Sequence, residues 1–229
     1  MVTLVVTKDC TALSDADLAE MAELCGGSGR AFEIGMLSKQ AEAWVLVTLA
    51  RDARDALVGY AFCTLERIGG TPSILIGLAS VGRHEHSETV MRSILRDQMR
   101  RAVLAFPDED VLVGSRLAAP STFSAFAGLN EVIPRPGHKA SGEERAWGRR
   151  LAKRFGIDTS SYNDRSFTVS GDGSLQPLFD YIAPDHVEVH VEVAALFDPL
   201  DLDAGDVLIG FGWAMAEDLD ALLKETGGH

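Results

Sequence analysis

The chain has 229 residues, with 21 Lys and Arg against 34 Asp and Glu, and a formal charge of −13. With 46% apolar and 24% charged residues it has the composition of a folded globular protein, not a disordered one. The acidity argues against nucleic acid or an anionic membrane as partner, since like charges repel, and no apolar run approaches the roughly 18 residues of a membrane span.

Residues 2–7 are β-branched and apolar and predict a first strand. Ser14 can cap a helix in which Asp15 and Asp17 sit at the positive end of the dipole and Leu18, Met21 and Cys25 share a face. Gly26-Gly27-Ser28-Gly29 ends it. Residues 31–39 read as a short helix or a flexible segment. Three strand signals follow at 44–50, 57–67 and 73–81, and the short turns between them predict an antiparallel meander.

A long amphipathic helix is predicted over 88–106. Val90, Met91, Ile94, Leu95, Met99, Ala102 and Val103 form its apolar face, and Arg92, Arg96, Arg100 and Arg101 the opposite one. Residues 111–115 predict a strand and 121–129 a short helix. Past the Pro-rich stretch at 133–137, Ser141 and Glu144 have capping-box spacing and open a helix carrying Trp147, Leu151 and Phe155. From Ser166 the pattern is β-rich, with a final helix near 216–224. Within it, residues 186–193 alternate strictly, which predicts a strand with four valines on one face and His186, Glu188, His190 and Glu192 on the other.

Net charge is −5 over 1–133, +4 over 134–165 and −12 over 166–229. This suggests a first domain at 1–133, a basic linker and helix at 134–165, and an acidic extension at 166–229 that packs on the first domain. Cys10, Cys25 and Cys63 match no zinc or disulfide-exchange spacing, and the short apolar start lacks the basic opening of a signal peptide. The expectation is a cytoplasmic protein without a metal.

The order strand, helix, short helix, three strands, long helix, strand, helix resembles the GNAT acetyltransferase superfamily over residues 1–133. Gly59-Tyr60 resembles the family's opening of its third strand, and Val81 and Ile94 stand thirteen apart at the two ends of its pyrophosphate-loop pattern. The loop itself is degenerate: Arg83 replaces the proline, His86 the arginine, and Thr89 and Met91 the two small residues. Phe126-Ala127 stands where the family often has a tyrosine acid. The resemblance implies an α+β fold with a mixed, mostly antiparallel sheet flanked by helices, here with a β-rich C-terminal extension.

It also implies an acyl-CoA-dependent N-acyltransferase acting on a small-molecule or peptide amine, with acetyl-CoA or another acyl-CoA as donor. Ala79 and Val81 would then offer backbone N–H groups to the thioester, and His86, Ser87 and Thr89 would hold phosphate at a helix N-terminus. Glu66, His84 and Glu33 are the candidate catalytic residues, carboxylates and an imidazole able to take a proton from an amine. Two alternatives stay open: a GNAT-fold enzyme that has abandoned CoA, and a non-catalytic binding or assembly protein. A space between the fourth and fifth strands filled by side chains would favour the last. A homodimer is the candidate assembly.

Overall fold

The computed structural model describes residues 2–29, 31–126, 128–174, 176–185 and 188–219. The chain opens with β1 (Val2–Asp9) and α1 (Asp15–Glu23). Ser14 and Asp17 close a reciprocal capping box, each side chain accepting the other's backbone N–H. The segment read as a helix or a flexible stretch is helical, α2 (Ile34–Ala43). The meander follows as β2 (Leu46–Asp52), β3 (Leu57–Ile68) and β4 (Thr71–Val81), all antiparallel to their neighbours.

Next come α3 (Ser87–Ala105), β5 (Val111–Leu117), a 3-10 turn at Pro120–Phe126 and β6 (Asn130–Ile133). The apolar face of α3 lies buried, Val90 and Ile94 packing beside Gly59 of β3, where a Cβ would strike the Val90 methyl. α4 (Gly142–Arg154) begins at the Ser141–Glu144 capping box, and its buried Leu151 packs on Gly114 of β5, on the sheet face opposite α3. The remaining elements are β7 (Tyr162–Asn163), β8 (Thr168–Val169), β9 (Phe179–Asp180), α5 (Val191–Ala194) and β10 (Val207–Ala214).

The ten strands of the described residues join one mixed sheet, in the order β1-β2-β3-β4-β9-β5-β10-β8-β7 with β6 beside β10. Pairing is mostly antiparallel; β4, β9 and β5 are the parallel exceptions. The sheet therefore crosses residue 133 without a break, because β10 pairs along the whole of β5. Gly210 and Gly212 suit that position: a Cβ on either would crowd Leu117 or Leu129. Among the described residues no helix is long and apolar enough to cross a membrane.

Of the alternating run 186–193, the described residues 188–193 do not form a strand. His186 and Val187 lie outside the described residues; His190 caps α5, and Val189 and Val191 are exposed. A period of two states only which side a strand would bury; among the described residues no neighbouring strand supplies a ladder here, and of the valines at 189, 191 and 193 only Val193 packs against the core. Of the predicted final helix, residues 216–219 are helical and the rest lies outside the described residues.

Candidate functional site

β4 and β5 run side by side only from the Ser73–Leu112 pair to Ile76–Ser115. At the last rung the Ser115 hydroxyl donates to the Ile76 carbonyl at 3.0 Å, and beyond it the strands part. β9 enters this opening. Phe179 pairs with Ala79 on one side and Leu117 on the other, and the Ala79 N–H donates to the Leu178 carbonyl at 3.0 Å. Phe179, Asp180 and Tyr181 are all buried.

Contacts from three parts of the chain hold β9 in place. The Asp180 carboxylate accepts the Ser28 N–H and the Ser28 hydroxyl, each at 2.9 Å. The Ser121 hydroxyl donates to the Tyr181 carbonyl at 3.1 Å. Gly26 and Gly27 let the loop after α1 lie directly on the segment: any side chain at Gly26 would collide with the Asp180 carboxylate, and one at Gly27 with the Ile182 amide. Tyr60 of β3 reaches the same spot. Burial raises its phenol above the ordinary range; the Ser80 hydroxyl opposes that shift and the Asp180 carboxylate adds to it.

A cavity of about 420 Å³ opens beside β9. Phe32, Leu178, Tyr181, Ile182 and Leu202 supply apolar wall, and Asp180, Asp203 and Asp206 supply carboxylates. No Lys, Arg or His lines it among the described residues. Both Asp206 oxygens accept backbone N–H groups, from Gly171 at 2.8 Å and Asp201 at 3.0 Å.

The structure does not bring the sequence-predicted catalytic residues together. Glu66 lies opposite Ser73, roughly 20 Å along β4 from Ala79, and its carboxylate receives the Arg154 Nε at 2.6 Å. Glu33 caps α2 through its backbone and is exposed. His84 is half-buried, its Nδ1 accepting the His86 N–H at 3.0 Å. Burial, then His86, lowers its pKa below the ordinary imidazole value.

The predicted phosphate-holding residues do cluster, at the start of α3. Ser87 is buried and its hydroxyl has no hydrogen-bond partner among the described residues, while His86 and Thr89 are exposed. Val81 is buried in its pairing with Gly59. Sequence reasoning missed Ser28 and Asp180. The run Leu178-Phe179-Asp180-Tyr181-Ile182 carries a strand-like signal, but nothing local to it points to a loop near residue 28.

No family model matches the sequence, and no curated protein matches it. Solved structures similar to the chain include Naa20 of Chaetomium thermophilum with a bisubstrate analogue, at 12% identity, covering 95% of this chain and 90% of that one, with a TM-score of 0.44. The ribosomal-protein-S18-alanine N-acetyltransferase of Escherichia coli gives 7%, 61% and 86%, and 0.41. A GNAT family acetyltransferase of Brucella melitensis in complex with acetyl-CoA gives 15%, 48% and 75%, and 0.35. The succession of elements up to residue 133, with β4 parting from β5 beside the start of α3, decides the architecture. The fold is GNAT-like.

A GNAT-like fold implies an acyl-CoA in the opening between β4 and β5. The residues present do not fit one. The Ala79 N–H that would meet the acyl group is already bonded to Leu178, and the Phe179 ring occupies the interior. Glu88, at the first turn of α3, forms an ion pair with Arg92 at 2.7 Å and adds negative charge where a pyrophosphate would sit.

Proposed function

We propose that this chain is a small-molecule binding protein of GNAT-like fold that no longer takes acyl-CoA between β4 and β5, and that its ligand occupies the cavity beside β9. The observation that carries this reading is β9 itself, seated in the opening with Leu178 on the Ala79 amide. The cavity walls suit a ligand with an apolar body, and the carboxylates at its edge, with no Lys, Arg or His among the described lining residues, suit a protonated amine.

Thermal shift tests this with tyramine, an aromatic amine, against phenylacetate, its anionic counterpart, and acetyl-CoA. Only a ligand that binds the folded state raises Tm. The expected result is a saturable rise with tyramine, a smaller one in Asp203→Asn, and none with millimolar acetyl-CoA. A saturable rise with acetyl-CoA, or equal rises with tyramine and phenylacetate, would refute the reading.

The second reading is an acyl-CoA-dependent N-acyltransferase acting on an amine. It is supported by the Ser87 hydroxyl at the start of α3, which has no partner among the described residues, and by His84 beside it, whose pKa burial lowers. It requires residues 178–182 to leave the opening. Stabilisation by acetyl-CoA together with release of free CoA on adding an amine is its signature.

A further inference from the structure

Arg116 of β5 is 5% exposed and makes no ion pair or hydrogen bond among the described residues. Its Nε is sealed from solvent without a hydrogen-bond partner among the described residues. The guanidinium lies 4.9 Å from the centre of the Phe155 ring, just past α4. No carboxylate acts on it; burial alone lowers its pKa to about 10.

Other arginines show how this chain ordinarily treats a sheltered guanidinium. Arg51 pairs with Glu20 at 2.6 Å, Arg154 with Glu66 at 2.6 Å, and Arg101 with Asp97 at 2.9 Å. Arg116 is more deeply buried than these and has only an aromatic ring. A ring face returns less than the desolvation of a guanidinium takes away. An apolar residue at this position would fill the same space without that cost, so the charge calls for a counter-ion.

The surroundings favour an anion. Phe155 lies beside Trp44 with ring centres 6.1 Å apart and planes tilted by 48°, and Trp44 carries the Arg154 guanidinium at 5.2 Å. The segment 134–165 around them has a net charge of +4. Arg116 does not line the cavity beside β9, so a site here is separate from it. We propose that Arg116 is the receiving group of a small-oxyanion site on the α4 face of the sheet, its terminal nitrogens taking two oxygens of a carboxylate or phosphate in a forked contact.

The test follows the Arg116 Nε–Hε resonance, assigned by its loss in Arg116→Met, during titration of the wild-type chain with sodium acetate or sodium phosphate at constant ionic strength. Thermal shift runs in parallel. The expected result is a saturable movement of that resonance and a Tm rise of about 2–4 °C with anion near fivefold its dissociation constant. Arg116→Met should lose the anion-dependent rise and be the more stable protein in chloride alone. Movement with acetate only assigns a carboxylate ligand; movement with phosphate only assigns a phosphate. A resonance that moves with neither anion, or an equal Tm rise in Arg116→Met, overturns the proposal. If Arg116→Met does not fold, Arg116→Lys replaces it: loss of the forked contact then weakens binding at least tenfold, and unchanged binding counts against the site.

Discussion

Ala79 and Leu178, one in the middle of the sheet and one in a late segment, share a backbone hydrogen bond of 3.0 Å that seals the opening between β4 and β5. Phe179, next to it, is a wedge with its ring buried on both sides. Phe179→Ala removes the wedge and should destabilise the chain by about 3–5 kcal/mol, read from urea denaturation. In the wild type the Ala79 amide should exchange with deuterium only on global unfolding, at the same rate with and without acetyl-CoA. Rapid exchange at Ala79 would show that β9 does not hold this position.

The loop after α1 supplies a second test. Gly26 has no room for a side chain because the Asp180 carboxylate and the Ser80 hydroxyl lie against it. Gly26→Ala should therefore cost about 1–3 kcal/mol, as overpacking does. Gly35, in the first turn of α2, has open space where a methyl group would project, with nothing within 4 Å. Gly35→Ala should stabilise by about 0.5–1 kcal/mol through helix propensity alone. Urea midpoints for the pair must move in opposite directions; equal losses would mean that crowding at Gly26 is not what keeps it a glycine.

Local features of this fold were legible and distant ones were not. Ser14 with Asp17 and Ser141 with Glu144 announce two helix starts within four residues each, and the apolar stripe of α3 is written at helical spacing. The meander follows from short turns. The contact that decides the site joins Ser28 to Asp180, and no periodicity links the two. Glu66 illustrates the same limit: its partner Arg154 comes from a helix whose docking the sequence pattern does not encode. The resemblance to an acyl-CoA enzyme pointed to the opening in the sheet, and residues from the extension fill it.

The three thiols should differ sharply in reactivity. Cys25 is exposed, whereas Cys10 and Cys63 are buried. Burial pushes both buried thiols up to about 12, with Asp9 adding to the effect at Cys10 and Cys10 itself adding to it at Cys63. The thiolate is the reactive species. At pH 8 a disulfide reagent such as DTNB should titrate one thiol per native chain quickly and three after denaturation. Fast reaction of two or three native thiols would contradict the burial of Cys10 and Cys63.

Acid stability should report on Asp17. Burial acts to raise its pKa, but the Ser14 amide and hydroxyl and the Lys8 ammonium, 2.9 Å away, outweigh that and hold it at about 2. A carboxylate with a folded pKa below its unfolded value of about 3.9 adds stability that is complete above the unfolded value and lost as pH falls toward the folded one. Asp17→Asn should thus be less stable than wild type at pH 7, with the gap closing between about pH 4 and pH 2. Asn keeps the shape and an acceptor oxygen, so the pH-dependent part isolates the charge. Urea midpoints across that range are the measurement. A gap of constant size from pH 7 to pH 2 would show that Asp17 contributes only a hydrogen bond, and that its pairing with Lys8 adds nothing to the folded state.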